Sequence, residues 1–505
     1  MTQLMIMMML TAGIVTVLDW RKGLLLCVLV GVAQDPLRKL APGQPIYYVL
    51  LVGVIFAITW FRAALTGVPL GPSVIHGWQR NLRAPFSAFA VVVVAQAIHS
   101  YIRYGSPLVP GIGLLVWLAP VPAIVLAYQL AARRGLDGVR WWMKVYVAAT
   151  LLMLSGVYFE YAGFGWRTLG EIGEGQIIYD LGGVLKAHSG FFRASEIAAW
   201  HTAAVACFVF MLALGKRPTV LRVGTAIGLI ALLVTLGFLT GRRKMLIEIT
   251  IFVTTYLFLV AWLQRGMWRL AMIAVVMGVV GYIAIVGFVS PDLVQESYTK
   301  ELQMENMDRM ESYAIRGQSV FADLPSRVNI TGWQPLVSSV ETFGWLGAGL
   351  GSGSQGTNEI VAAHDVDRWA SEGGLGKIAM ELGIPGLLVL VWVLRMLGRH
   401  FHEQLEPLAK ASPKHARIAF GLLAFMIANV ATFSVATQAY SDLFVLLILG
   451  WCLGFLFAMP RLGAQEALRA QQRASNQLRR WSARTQAASI FGRPPAAIPH
   501  GERRR

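Results

Sequence analysis

About thirteen long apolar runs, each bounded by charged residues or by proline and glycine, constrain this chain more than any other feature. A helix needs about 20 apolar residues to cross a bilayer. The 505 residues are 56% hydrophobic and only 14% charged, with a mean hydropathy of +0.58, which excludes an ordinary soluble globular protein. The runs are Gln3–Leu18, Gly23–Ala33, Ile46–Thr66, Phe86–Tyr101, Gly111–Ala131, Met143–Tyr158, Ile197–Leu214, Val220–Leu239, Met245–Leu263, Leu270–Val289, Ile378–Leu397, Ile418–Val435 and Leu443–Met459.

Helices are the structure that these runs predict. Inside lipid only a helix or a closed barrel satisfies its own backbone, and the runs lack the alternation of barrel strands. We therefore expect an all-α, polytopic transmembrane bundle of about 12 to 13 spans with one large polar loop, Ser290 to Leu375. The expected regions are 1–214 with a loop at 159–196, a core at 215–397 that includes the loop at 290–375, two closing spans at 398–459, and a tail at 460–505.

The distribution of basic residues predicts the orientation. After Pro460 the tail carries ten Arg and two Glu, out of a net charge of +17 for the whole chain. A basic tail beside a membrane is better explained as a cytoplasmic anchor on anionic lipid than as a nucleic-acid site. Counting back from this tail places five basic connections inside, as the positive-inside rule requires, and places residues 159–196 and 290–375 outside.

One outer connection breaks that rule. The turn Thr240-Gly241-Arg242-Arg243-Lys244 places three cations where translocation selects against them. Three explanations stay open: the side chains extend to ordinary headgroups, the span count is off by one, or the cations bind an anion at the outer surface. Arginine suits a diphosphate, since its planar fork makes paired hydrogen bonds to phosphate oxygens.

The large loop carries most of the remaining polar chemistry. A charged, amphipathic stretch ends at Arg316, and a Gly-rich stretch follows with Gly347, Gly349 and Gly351. This Gly-rich stretch is either a flexible linker or a place where backbone approaches a substrate closely. His364 and Glu372 then stand in a titratable cluster, and either could be a general base.

The second outer loop, 159–196, combines aromatic residues with charged ones. Aromatic platforms and carboxylates suit a sugar site, although glycine-rich acidic loops are commonly only solvated connections. The charged and titratable residues are Glu160, Glu171, Glu174, Asp180, Lys186, His188 and Arg193.

Several site classes have no support in the sequence. The three cysteines all lie in apolar runs and give neither a disulfide framework nor a metal spacing. HExxH and GxxxxGK[ST] motifs do not occur, so we expect no metal, no cofactor and no ATP-driven chemistry.

Three segments together resemble the bacterial O-antigen ligase and O-antigen polymerase superfamily of polysaccharide-assembly membrane proteins. LLVTLGFLTGRRKML (232–246) is similar to the helix and Arg-containing turn that open the shared domain. FGWLGAGLGSG (343–353) resembles the family's Gly-rich stretch late in the large periplasmic loop. His364, followed by ELGIPGL (381–387), is similar to the family's loop His and the Glu-x-Gly-x-x-Gly start of the next span.

The resemblance, which covers roughly residues 220–397, implies a GT-C-like helical glycosyltransferase of the bacterial inner membrane. The donor would be an undecaprenyl-diphosphate-linked glycan and the acceptor a glycan or a lipid. Arg242 or Arg243, with Arg316, would meet the diphosphate, and His364 would assist the acceptor. The family commonly has His-Asn or His-Ser where this chain has His364-Asp365, which makes Glu372 a rival base.

The same resemblance implies partners, and the need for cations leaves a second function class open. We expect contacts with membrane lipid and with polysaccharide export or chain-length proteins, and no nucleic acid. The rival is a transporter or flippase of lipid-linked glycans, which also needs cations for a diphosphate. Transporters usually show internal repeats and charges near mid-membrane, and no clear repeat is visible in this sequence.

Overall fold

The chain folds into a bundle of long helices. The computed structural model describes residues 2–172, 177–180, 183–214, 219–242, 244–263, 328–354, 357 and 373–490. The helices are α1 (Thr2–Leu18), α2 (Trp20–Leu40), α3 (Leu51–Leu65), α4 (Arg83–Tyr104), α5 (Leu108–Leu118), α6 (Pro120–Tyr161), α7 (Ser195–Leu214), α8 (Val220–Leu239), α9 (Lys244–Leu263), α10 (Gln334–Phe343), α11 (Gly374–Ala411), α12 (Pro413–Val435) and α13 (Leu443–Ile490). Short 3-10 or π turns occur at Ile46–Leu50, Pro72–Val74, Trp78–Leu82, Val328–Trp333 and Gln438–Ser441.

The helices match the predicted spans. Among the described residues, nine helical segments are long and apolar enough to cross a membrane. Ten of the thirteen predicted runs fall within single helices. Ile46–Thr66 begins in the 3-10 turn before α3, Gly111–Ala131 extends from α5 into α6, and Leu270–Val289 lies outside the described residues. Large apolar side chains such as Leu65, Ile102 and Leu152 are exposed on the bundle, as lipid-facing residues are. The prediction of a multi-pass helical membrane protein is confirmed.

The difference between nine segments and the predicted 12 to 13 spans has local causes. The segment Leu108–Tyr161 contains two predicted runs, because α6 follows α5 directly and continues past a bend at Gly135 (φ 66°, ψ −166°). Helix α2 carries charged residues at both ends, and the apolar part of α1 is short.

One short sheet interrupts the helical architecture. Strands β1 (Ile177–Asp180) and β2 (Gly183–Lys186) pair antiparallel, with Ile177 opposite Lys186 and Asp180 opposite Gly183. The β-branched residues Ile177, Ile178 and Val184 favour strands over a helix here. The expected loop at 159–196 therefore contains a hairpin.

The core of the bundle is an aromatic cluster between α6, α7 and α13. The Trp142 ring stacks on Tyr146, with centroids 5.8 Å apart, and meets Trp451 and Phe455 edge-on at 5.4 and 5.3 Å. Glycine lets α13 approach α6 closely, since a Cβ atom at Gly454 would lie 2.2 Å from the Ile124 carbonyl oxygen.

The connections predicted to lie outside meet at one end of this bundle, which we call the loop end. Lys39 Nζ donates to the Gly190 carbonyl oxygen at 2.7 Å. Arg193 pairs with Asp35, with Nη1 and Oδ1 3.2 Å apart, and also with Asp442. Burial lowers the pKa of Arg193, but the carboxylates of Asp442 and Asp35 outweigh it and raise this pKa above its usual range. Contacts from three distant parts of the chain thus close the loop end.

Described parts of two predicted inner connections, 67–83 and 398–417, meet at the opposite end. Asn81 Nδ2 donates to Glu403 Oε2 at 3.1 Å, and Gln129 Nε2 donates to the Pro69 carbonyl oxygen at 2.8 Å. Helix α13 runs for 48 residues, or about 70 Å, so it extends well beyond a bilayer and carries the first part of the Arg-rich tail.

Candidate functional site

The turn between α8 and α9 places Arg242 at the loop end. Gly241 adopts a left-handed conformation (φ 65°), and the Thr240 hydroxyl donates to the Gly237 carbonyl oxygen at 2.6 Å. The Arg242 backbone N–H in turn donates to Thr240 Oγ1 at 3.3 Å. These local bonds explain why a threonine and a glycine precede the cation.

Arg242 is held by the start of α7. Its Nη2 atom lies 2.8 Å from Glu196 Oε1, and its Nε atom donates to Ser195 Oγ at 2.9 Å. The side chain keeps 21% exposure and that of Glu196 keeps 16%, so the pair remains accessible to solvent. Lys244 Nζ, from the next turn, donates to Gln438 Oε1 in the α12–α13 connection.

These residues border a crevice of about 320 Å³, which includes space open to solvent. Arg242, Lys244 and Glu196 line it together with Trp200, Glu248 and Tyr440. Trp200, Glu248 and Tyr440 are only 4%, 1% and 5% exposed, whereas Arg242 and Glu196 are partly exposed. The crevice therefore has charged groups at its opening and an aromatic and carboxyl floor.

A hydrogen-bond network organises the floor. Asn429 Nδ2 donates to Glu248 Oε1 at 3.1 Å, and Asn429 Oδ1 accepts from Trp200 Nε1 at 2.8 Å and from the Tyr440 hydroxyl at 3.1 Å. Networks of this kind fix side-chain positions because an unsatisfied polar group would be costly there. The floor thus presents a fixed carboxyl group beneath the cations.

Glu171, from the loop at 159–196, interacts with the residues that hold Arg242. Ser195 donates hydrogen bonds to it from both backbone and side chain, and it interacts electrostatically with Glu196 and Arg242. Burial and then the charge of Glu196 raise the pKa of Glu171 to about 7, against the opposing effect of Arg242. A carboxyl group of this pKa exchanges protons near neutral pH.

The predicted glycines lie in a second part of the loop end, and the close approach that they allow is to the protein itself. Gly347, Gly349 and Gly351 are buried and have φ values of +78°, +100° and +85°. A Cβ atom would lie 2.5 Å from the Met380 carbonyl oxygen at Gly347, 2.8 Å from Ser100 Cα at Gly349, and 2.1 Å from the Val109 carbonyl oxygen at Gly351. Their role in substrate approach stays a prediction.

The Gly-rich stretch also supplies hydrogen-bond partners for the backbone where α11 is interrupted. At Gly383 (φ 68°, ψ −177°) the helix is interrupted inside a predicted span. The Ala348 N–H donates to the Met380 carbonyl oxygen at 2.7 Å, and the Ile384 N–H donates to the Trp345 carbonyl oxygen at 2.9 Å. Non-helical backbone at membrane depth requires such partners from the protein.

A buried ion pair stands next to this break. Glu381, which is fully buried, accepts from Trp117 Nε1 at 2.6 Å and from the Gly353 N–H at 3.1 Å, with Lys377 Nζ 3.9 Å away. Lys377 Nζ also donates to Ser441 Oγ at 3.1 Å. The Gln438–Ser441 turn therefore contacts both regions of the loop end. Ser441 accepts from Lys377 beside the Gly-rich stretch, and Gln438 accepts from Lys244 at the crevice.

The structure places some of the predicted site residues. Arg242 lines the crevice, and the three glycines pack on helices nearby. Arg243, Arg316, His364 and Glu372 lie outside the described residues.

The sequence interpretation assigned no site role to several other residues of the loop end. Lys377 and Glu381 stand four residues apart at the edge of an apolar run, a signal that marks a buried pair. Ser195 and Glu196 follow a loop without any motif, and only the fold brings them to Arg242.

Comparison of the chain with protein-family models and with curated proteins finds no match.

Proposed function

We propose that this protein is a membrane glycosyltransferase that polymerises or ligates glycans carried on a lipid diphosphate, at the outer face of a bacterial inner membrane. One observation carries the proposal: Arg242, from the segment that resembles the O-antigen ligase and polymerase superfamily, lies at the opening of a crevice at the loop end. Its neighbours Arg243 and Lys244 add positive charge to the same turn.

The proposed reaction is a glycosyl transfer. An acceptor hydroxyl attacks the anomeric carbon of the donor, its proton passes to a base, and the bond from that carbon to the diphosphate oxygen breaks. The leaving diphosphate keeps the electron pair, and its growing charge is stabilised by Arg242 and Arg243, with Arg316 as a further candidate. From the sequence, His364 and Glu372 are candidates for the base.

The surroundings of Arg242 support a role in anion binding. Its present partner is the carboxylate of Glu196 at 2.8 Å, and a phosphate group offers the same fork-shaped arrangement of oxygens. A partly exposed ion pair contributes little to stability, so exchanging one anion for another costs little.

The double variant Arg242→Ala and Arg243→Ala tests the proposal. Purified protein in liposomes, supplied with a lipid-diphosphate-linked oligosaccharide and an acceptor glycan, should make product. The double variant should lose at least about 100-fold of that rate, since transition-state charge stabilisation is worth this much per donor. Gel separation distinguishes a ladder of lengths, which indicates a polymerase, from one capped species, which indicates a ligase.

Arg222→Ala is the matched control, because Arg222 is an exposed arginine at the other end of α8. It should leave product formation unchanged, and all variants should insert into the membrane equally. Full product yield from the double variant would overturn the assignment.

A transporter of lipid-linked glycans is the second candidate, and one observation favours it. Helix α11 is interrupted at Gly383 beside the buried pair Lys377 and Glu381, and transporters bind substrates at such broken helices. In the same liposomes a transporter would move the donor across the bilayer without lengthening or transferring the glycan.

A further inference from the structure

The Arg242 guanidinium is shared between a charged partner and a neutral one. Its Nη2 atom lies 2.8 Å from Glu196 Oε1, whereas its Nε atom donates to the Ser195 hydroxyl oxygen at 2.9 Å. Arg242 and Glu196 both line the crevice, and Ser195 is fully buried. The hydroxyl therefore fixes the guanidinium from within the protein, and the contact with Glu196 is the one that an anion in the crevice would replace.

Glu196 stands where a negative charge is favoured twice. It lies in the first turn of α7, where the helix dipole attracts anions, and it pairs with Arg242. Because Glu196 belongs to the same chain, it competes for Arg242 at a high effective concentration, whatever lipids the membrane contains. An incoming anion must therefore gain more from the site than this carboxylate does.

The neighbouring cation contacts a neutral group. Lys244 Nζ donates to Gln438 Oε1, an amide oxygen, and Lys244 lines the crevice together with Arg242. A diphosphate has two phosphate groups and can contact both cations through charge-assisted hydrogen bonds. A phosphodiester headgroup carries a single negative charge, so at Arg242 it only replaces one anion by another. The two kinds of ligand therefore differ in what they gain by displacing Glu196.

We infer that Glu196 is a specificity-determining residue of the diphosphate site, because its carboxylate keeps singly charged lipid headgroups off Arg242 and yields to a diphosphate. The inference rests on the proposed function and deepens it by naming what the site must reject. A membrane presents phosphodiester headgroups in large excess over any lipid diphosphate, and anionic ones are attracted to exposed cations. Discrimination between related ligands commonly uses an unfavourable interaction with the wrong ligand as well as contacts to the right one.

The test measures the dissociation constant of a labelled lipid diphosphate for the full chain, in phosphatidylcholine vesicles with and without phosphatidylglycerol. Added phosphatidylglycerol should weaken binding to the wild type only slightly. Glu196→Gln should bind the diphosphate about three- to fivefold more tightly in phosphatidylcholine, because no carboxylate has to be displaced. It should lose most of this gain when phosphatidylglycerol is present, since the singly charged headgroups then compete for Arg242.

Two further variants serve as controls. Glu196→Ala, a second neutral variant, should repeat both results and excludes an effect peculiar to the glutamine side chain. Glu341→Gln removes an exposed carboxylate on α10 and is the matched control for net charge. It should bind the lipid diphosphate as the wild type does in both kinds of vesicle.

The possible failures are distinguishable. Equal affinities of wild type and both neutral variants, or a gain in affinity that phosphatidylglycerol leaves intact, would overturn the inference alone, since the diphosphate would still bind. Weaker binding by both neutral variants would also overturn it and would assign Glu196 to positioning Arg242. A wild type that does not bind the lipid diphosphate in phosphatidylcholine would overturn the proposed role of Arg242, and the inference with it.

Discussion

The loop end contains two regions that differ in how they use unusual residues. Around Arg242 the groups are charged, partly exposed and border a crevice. Around Gly351 they are backbone groups and a buried ion pair, closely packed between α4, α5 and α11. The charged groups of the first region border the crevice, whereas the ion pair of the second is buried.

This difference predicts different roles for the two regions. An ion pair with solvent access can exchange one partner for another, whereas a buried pair with several donors cannot lose one without leaving the others unsatisfied. We therefore expect substitutions near Gly351 to act on folding and substitutions near Arg242 to act on activity.

The largest effect on stability should come from Glu381→Ala. The change leaves Lys377 and the Trp117 N–H buried without their carboxylate partner, which should lower the free energy of unfolding by about 3 to 5 kcal/mol. Unfolding in mixed micelles measures it. Glu406→Ala is the control, because Glu406 pairs with Lys410 at the same spacing on the same helix but is exposed, and it should cost about 1 kcal/mol or less. Equal losses of unfolding free energy for Glu381→Ala and Glu406→Ala would show that burial does not make the Lys377–Glu381 pair more important for folding than an exposed pair.

A smaller loss is expected for Gly351→Ala. The added Cβ atom would lie 2.1 Å from the Val109 carbonyl oxygen, in a conformation (φ +85°) that disfavours alanine. Steric strain and overpacking together should lower the free energy of unfolding by about 2 to 4 kcal/mol. Gly344→Ala supplies the comparison, since its φ is +75° but nothing lies within 4 Å, so only the backbone cost of about 1 to 2 kcal/mol applies. An unchanged free energy of unfolding for Gly351→Ala would show that the backbone around Gly351 shifts at little cost to make room for the added Cβ atom.

The smallest effect concerns pH and the charged region. The pKa of Glu171 is raised to about 7 in the folded protein, so between about pH 4.5 and 7 the folded state binds more protons than the unfolded state. Stability should therefore fall as pH rises through this window, by about 1 to 2 kcal/mol. In Glu171→Gln the free energy of unfolding should depend less on pH in this window than in the control Glu341→Gln. Unfolding measured at pH 5 and pH 8 tests this. Parallel curves would show that Glu171 is solvated in the folded state.

Much of the architecture was predictable from hydropathy alone. Runs such as Val220–Leu239 must be helical in lipid, and the structure has a helix there. The break at Gly383 was not predictable, because an apolar run looks continuous whether or not a loop from elsewhere satisfies its backbone.

The site was predictable only where a residue violates a rule. Arg242 stands out because a cation in a predicted outer turn is unfavourable, and the fold places it beside a crevice. Glu171 does not stand out among the other acidic residues of its loop. What distinguishes it is its burial beside Glu196 and Arg242, which no local pattern encodes.

The pairing of Arg193 with Asp35 and Asp442 has a consequence for biosynthesis. These three residues come from the beginning, the middle and the last hairpin of the chain, so the ribosome must deliver α12 and the turn after it before Arg193 has both partners. Assembly of the loop end is then a late event, and a nascent chain that stops after α9 would expose an incompletely paired arginine to membrane chaperones and proteases.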